Sequence, residues 1–295
     1  MKNLAFILAI VLISTSCLGK MKKDTYTDRT FNHIDFKEIT FTLDKKTNDT
    51  LHIEGLLKHK TIIKGIPCHH KISFVKNWKL EYFTLADEHT FGEYIFPKDT
   101  YIGFDINKYD LQTHYLVVAG HDFVNTCKFI SNQSINGLLC SATEEVIFTT
   151  NWNLRACILG DDDTIEGNML RKGTLAVFAE SGSFSTYCLY DPIIQGYQCS
   201  GTKYTSWIWM GGGGIRFYPN GKLKFFYAVD DIDVNGVICL ASSTKGGIWL
   251  YENGKLKKCT LAKDQTINGV LYEKKFTLKF DENRNITESY KDKFF

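Results

Sequence analysis

The sequence has only four prolines in 295 residues, which excludes a proline-rich linker or a disordered, low-complexity chain. No long basic block occurs, and the 35 basic side chains are nearly balanced by 33 acidic ones. That balance argues against nucleic-acid binding. No segment of three turns has the apolar spacing of an amphipathic helix, so helices are not expected. Reaction motifs are missing as well. There is no Gly-x-Ser-x-Gly elbow, and Gly211 to Gly214 lack the Gly-Lys-Ser/Thr ending and following helix of a phosphate loop. From sequence, the chain reads as non-enzymatic, with no cofactor and no metal.

One apolar run stands apart. Leu4 to Ile13 follows Lys2 and leads to Ser14-Thr15-Ser16 before Cys17. Ten residues are too few to cross a bilayer, which takes about twenty. The pattern is that of a secretory signal peptide over residues 1–16. Two processing routes fit it. Cys17 after Ser16 resembles a bacterial lipobox, with Ser14 where leucine is usual, and implies lipidation of Cys17 and a membrane anchor. Ser14-x-Ser16 also suits ordinary signal-peptidase cleavage. Either route places the protein outside the cytoplasm, in a bacterial cell envelope if the lipobox resemblance holds.

The remaining chain is rich in short runs of Val, Ile, Phe, Tyr, Trp and Thr, bounded by Gly, Asn and Asp. Such runs read as strands. They also repeat. The glycine of an Ile-Asn-Gly element recurs at Gly65, Gly137, Gly167, Gly196, Gly236 and Gly269, with Gly92 as a degraded anchor in the longest gap. Ten residues before the anchor stand Cys127, Cys157, Phe226 and Cys259; three residues after it stand Cys68, Cys140, Cys199 and Cys239. Each unit carries a hairpin, clearest at 72–85, 146–159, 215–228 and 248–261. Their turns hold Asn77-Trp78, Asn151-Trp152, Asn220-Gly221 and Asn253-Gly254. Asn and Gly tolerate the positive φ of tight hairpins; the tryptophans imply turns that differ in detail. Leu250 and Leu256 should share a buried face with Ile248, while Cys259 and Leu261 have the opposite parity. A bulge, or burial on both faces, would reconcile them. Leu80, Leu154, Leu223 and Leu256 are the expected repeat core, and Lys255 and Lys257 the expected surface.

Tyr218-Pro219-Asn220-Gly221-Lys222-Leu223 and Tyr251-Glu252-Asn253-Gly254-Lys255-Leu256 resemble the MORN-type hairpin repeat, sharply only in the last two or three units. The longer unit, with a trailing Leu-Ala-x-Asp and Ile-x-Gly-x-x-Cys, is similar to repeat arrays in bacterial envelope proteins. The resemblance implies stacked hairpins and, by fold analogy alone, binding of protein or lipid. The expectation is an all-β protein: hairpin repeats of about thirty residues stacked into an antiparallel sheet or solenoid. Residues 17–37 read as a linker or N-terminal arm, 38–286 as the array and 287–295 as a C-terminal tail.

Four groups of residues are candidates for chemistry. Cys140 with Cys157 and Cys239 with Cys259 are candidate disulfides in an oxidising compartment; the alternative is that they fill the core, as Phe83 and Phe226 do at the same positions. Cys68-His69-His70 has the look of a metal cluster, but neighbours on a strand face opposite ways. Asp87, Asp162, Asp231 and Asp264 occupy similar turn positions, as calcium ligands or as side chains that stabilise turns through their own backbone. Trp207 and Trp209, with Gly211 and Gly212, lie in the longest unit and could contact a glycan or protein. The functional expectation is a protein-interaction or structural scaffold. A glycan-binding module at the Trp207/Trp209 loop is the alternative, and a hydrolase with a scattered active site comes third.

Overall fold

The computed structural model describes residues 21–75, 78–107, 123–201, 214–241 and 246–291. Among them there is no α-helix, and every strand pairing with a stated register is antiparallel. The signal segment, Cys17 and the loop with Trp207, Trp209, Gly211 and Gly212 lie outside the described residues. The chain divides into two compact units. The first runs to Ile106 and includes Phe123–Ile130 and Thr150–Trp152; the second includes Ser131–Thr149 and Asn153 onward.

The repeat has two kinds of hairpin. Long hairpins build the main sheet, and small ones follow them. Every glycine of the Ile-Asn-Gly ruler, Gly92 included, sits in the turn of a small hairpin and has a positive φ. The preceding residue is left-handed too at Lys64, Asn136, Glu166, Gln195, Asn235 and Asn268. Two consecutive positive-φ residues define the primed turn whose twist suits a two-residue hairpin loop. The residue before the ruler glycine also reaches outward. Asn235 Oδ1 accepts the Leu256 N–H at 2.8 Å, and Gln195 Oε1 accepts the Leu223 N–H at 3.2 Å.

In the second unit the main sheet follows chain order, from Val146–Thr149 through Leu154–Ile158, Leu175–Phe178, Phe184–Tyr187, Ile215–Phe217, Leu223–Phe226, Ile248–Leu250, Leu256–Thr260 and Phe276–Phe280 to Ile286–Lys291. The expected hairpins at 146–159, 215–228 and 248–261 are all present. A further one, at 175–187, turns on Gly182. The parity conflict is resolved by a bulge. Leu250 faces Leu256, but Trp249 faces Lys258, so Lys257 is the extra residue. Cys259 thereby returns to the face of Ile248, and both are fully buried. The same shift follows Leu154 and Leu223. Leu223 and Leu256 are core residues, while Leu154 is only half-buried, contrary to expectation. Lys255 and Lys257 are exposed.

The turns stack by repeated bonds. The Tyr218 hydroxyl donates to the Leu250 carbonyl at 3.0 Å and that of Tyr251 to Phe280 at 2.7 Å. The Asn220 amide donates to Glu252 and the Asn253 amide to Glu282. These bonds explain why the Tyr-x-Asn-Gly pattern recurs: each turn satisfies a polar group of the next.

The first unit has the same grammar with longer strands. Met21–Phe31 pairs with Ile34–Asp44, which pairs with Thr50–Leu57, then Ile66–Val75, Lys79–Leu85 and Tyr101–Asn107. Residues 21–37 are therefore not a linker or free arm. Met21–Phe31 is a strand held along its length by its neighbour, with the Phe31 and Phe41 rings 5.0 Å apart. Nor is the other end a tail throughout, because Thr287 to Lys291 continue a strand paired with Phe276–Phe280. The turn tryptophans adopt the conformation that glycine takes elsewhere: φ is 57° at Trp78 and 65° at Trp152, against 76° at Gly221 and 80° at Gly254. Aromatic stacking offsets that strain. Trp78 lies 5.1 Å from the Phe31 ring, and Trp152 4.8 Å from the Phe91 ring.

Candidate functional site

The turn aspartates have a shared structural job. Asp162, Asp231 and Asp264 each accept the backbone N–H of the residue ten places on, at Lys172, Ala241 and Lys274. Asp191 does the same for Gly201, and Asn132 for Ala142. Each bond closes the base of one small hairpin. Asp87 differs: the residue ten places on is Pro97, which has no N–H, and Asp87 pairs with Lys60 instead. Among the described residues no group of His, Cys, Asp or Glu is arranged to hold a metal ion.

Both candidate disulfide pairs are brought together, as free thiols. Cys140 and Cys239 each bond across a bridge, to Leu159 and Leu261, which puts Cys157 and Cys259 two residues away on the same face. All four are buried. A hydrogen bond with Cys157 and burial raise the Cys140 pKa, and Cys259 does the same for Cys239. Burial pushes Cys68 up to about 12, and burial together with the neighbouring Cys188 does the same for Cys199. Such thiols stay protonated at neutral pH and are poor nucleophiles.

The histidine pair corrects an expectation. His70 has a φ of 54° at a break in register, and its ring lies 4.1 Å from that of His69. The two rings are therefore neighbours rather than on opposite faces. His69 Nε2 lies 2.8 Å from Asp99 Oδ1 yet outside hydrogen-bond alignment. Burial, then the neighbouring His70, lowers the His69 pKa against the pull of Asp99.

A constellation invisible in sequence lies in the first unit. His52 Nε2 is 2.6 Å from Ser73 Oγ and 2.8 Å from Glu81 Oε2, while Ser73 Oγ donates to Glu81 at 2.7 Å. Serine, histidine and carboxylate suggest acyl transfer, but the wiring is different. A catalytic triad bonds serine to one ring nitrogen and the carboxylate to the other. Here both meet the same nitrogen, and Ser73 is fully buried. The group is a closed triangle that satisfies polar atoms within the sheet. His52, ahead of Ser73, lowers the Glu81 pKa. Beside it the Tyr82 hydroxyl bonds Glu54; burial, then Glu54, raises the Tyr82 pKa, and that bond lowers the Glu54 pKa.

Two features have the character of contact surfaces, although Phe225 in the second is itself buried and its neighbours Arg216, Trp249, Lys258 and Lys279 are half-buried. The first belongs to the small hairpins. The second cross-strand pair from the turn of each contains one apolar side chain of this kind: Ile62, Ile95, Leu139, Met169, Ile193, Ile238 and Leu271. Leu139 and Ile238 are half-buried; the others are 62–73% exposed. The second belongs to the main sheet of the second unit. One row of paired residues runs Arg216, Phe225, Trp249, Lys258, Lys279, Glu288 across six strands. It lies opposite the buried Ile215, Phe226, Ile248, Cys259 and Leu278. In the first unit a cleft of about 460 Å³ lies on the hairpin of Tyr26, Phe31 and Phe41. No family model, curated protein or solved structure matches the chain.

Proposed function

We propose that the protein is a non-enzymatic repeat scaffold that binds a protein partner through the outer edges of its small hairpins. The supporting observation is the recurring aliphatic side chain. A small hairpin needs apolar residues on the side that packs against the sheet, and Ile165, Val234 and Val237 serve there. Nothing in that packing requires Met169, Ile193 or Leu271 on the side that faces water. Scattered exposed aliphatics are ordinary, but one at the equivalent pair of every hairpin is a pattern of contact. The MORN resemblance of the 217–224 and 250–257 turns agrees with a binding array. The signal-like segment and Cys17 favour an array held at a bacterial cell envelope, anchored through a lipid on Cys17. The partner is accordingly an envelope protein.

The test is a triple variant, Met169→Asp, Ile193→Asp and Leu271→Asp, compared with wild type in capture from envelope extract. All three sites are exposed, so the fold should persist, as circular dichroism would show. Binding through the hairpins predicts a saturable partner that the wild type retains and the variant loses. The same captured set from both proteins would refute it. Fractionation of Cys17→Ser tests the anchor separately: a shift from membrane to soluble fractions is expected, and an unchanged distribution would remove the lipid from the proposal.

A further inference from the structure

We infer that the main-sheet row of the second unit is a binding site for an acidic glycan, a saccharide that carries carboxylate or sulfate groups. The site is a groove of about 320 Å³ lined by Trp249, Tyr251, Lys257, Lys258, Lys279 and Phe280, with Thr287 at its edge. Its size is at the lower end for small-molecule sites, enough for about one or two sugar rings. The bulge that follows Leu256 builds it. By inserting Lys257 as an extra residue, the bulge puts Lys258 directly between Trp249 and Lys279 across the strands.

The charge of the groove is one-sided. Three lysines line it, and no carboxylate does. Glu288, next in the row, pairs with Lys279 at 2.5 Å. Lys257 lies over the Tyr251 ring, 5.1 Å from its centroid. Lys258 has no ion-pair partner among the described residues. Arg216 continues the positive surface, over the rings of Phe225 and Trp249 at 5.2 and 5.7 Å. An excess of cations beside aromatic rings suits a ligand that offers anions and flat C–H faces together, because ring faces carry negative potential and attract such positive edges. An acidic sugar has both. The floor is rigid, since Trp249 packs against Phe225 with centroids 4.6 Å apart and the Tyr251 hydroxyl is fixed to the Phe280 carbonyl. A preformed surface loses little entropy on binding.

Titration of the mature protein with three tetrasaccharides tests the site: an oligogalacturonate, a heparin-derived fragment and neutral cellotetraose. Both acidic probes should bind, with affinity that falls as salt rises. Cellotetraose should bind at least roughly tenfold more weakly, as expected for a lost charged contact. Lys258→Glu should weaken the acidic probes by roughly tenfold or more. Lys172→Glu, an exposed charge outside the groove, should leave them unchanged. Trp249→Ala should weaken them too; if that variant does not fold, Lys258→Glu decides alone. Equal loss from Lys172→Glu, or none from Lys258→Glu, would overturn the site. So would tighter binding of a poly-glutamate peptide or of phosphatidylglycerol vesicles, which would identify a protein or membrane surface instead. None of these outcomes depends on the small-hairpin edges, so failure here leaves the scaffold reading standing.

Discussion

The two units solve the same turn in opposite ways. In the second, Gly221 and Gly254 occupy the left-handed position, and the absence of a side chain makes that conformation inexpensive. In the first, Trp78 and Trp152 occupy it and are strained. They are held by the rings of Phe31 and Phe74, and of Phe91 and Phe96. One unit thus relies on backbone freedom and the other on an aromatic clamp. The difference extends to the sheet surface, where the first unit has the closed His52–Ser73–Glu81 triangle and the second has the half-buried row from Arg216 to Glu288. A repeated backbone therefore does not imply a repeated role.

The largest expected effect breaks the glycine solution. A Cβ at Gly221 would meet the Glu166 carbonyl oxygen and Cβ inside van der Waals contact, whereas a Cβ at Gly254 meets nothing within 4 Å. Gly221→Ala should cost roughly 3–5 kcal/mol, the sum of strain and overpacking. Gly254→Ala should cost about 1 kcal/mol, for strain alone. Denaturant melts that give equal losses would show that the crowding at Gly221 relaxes freely.

Next is the core. Leu256→Ala should lose about 2–5 kcal/mol, as buried leucines do. Leu154→Ala should lose less, because Leu154 is only half-buried. Parallel urea melts rank the pair, and the reverse order would mean that the strand register is displaced. The aromatic clamp is tested by Trp152→Gly. Loss of stacking, at about 3–5 kcal/mol for a large aromatic, should exceed the 1–3 kcal/mol of relieved strain, leaving a net loss of roughly 2 kcal/mol. A variant as stable as wild type would show that strain and stacking cancel.

Much of the fold is legible because glycine, asparagine and aspartate mark turns by local chemistry. The ruler glycines and the hairpins around them need no knowledge of distant contacts. Residues 21–37 mislead for a physical reason. Met21–Phe31 is exposed nearly throughout, so it lacks the apolar alternation that reveals a strand, and only its pairing partner makes it one. Leu154 matches its repeat equivalents in sequence, but burial depends on neighbours that spacing does not report. Ser73 is separated from His52 by 21 residues and from Glu81 by eight, and only the sheet register brings them together. The Arg216-to-Glu288 row is hidden for the same reason: each bulge shifts parity by one, so adjacency across six strands depends on counting every bulge correctly. Trp207 and Trp209 are prominent in sequence and lie outside the described residues.

A smaller effect concerns pH. The depressed carboxyls of Glu54 and Glu81 and the depressed imidazole of His69 favour the form with fewer protons in the folded state. Their contribution to stability is fully present above the unfolded pKa values, about 4.3 for Glu and 6.5 for His. It is lost as pH falls through the lower folded values. Thermal melts of Glu81→Gln should therefore converge on wild type as the pH is lowered, and a gap that persists undiminished would remove the charge of Glu81 from the account. The smallest effect is Lys257→Ala, within about 0.5 kcal/mol of zero, since that side chain is exposed at the bulge.

The bond from Asp162, Asp191, Asp231 and Asp264 to the N–H ten residues on has a consequence for how such a chain can grow. It works like a clasp: once Asp191 has closed on Gly201 and Asp231 on Ala241, the chain beyond is free to lengthen before the next main-sheet strand begins. The long unit between Gly196 and Gly236 has its additional residues after such a clasp, and the sheet resumes in register at Ile215 against Thr186. New loops can be spliced in at these seams without renegotiating the core, which makes the position after each clasp the natural place to graft an epitope or a label.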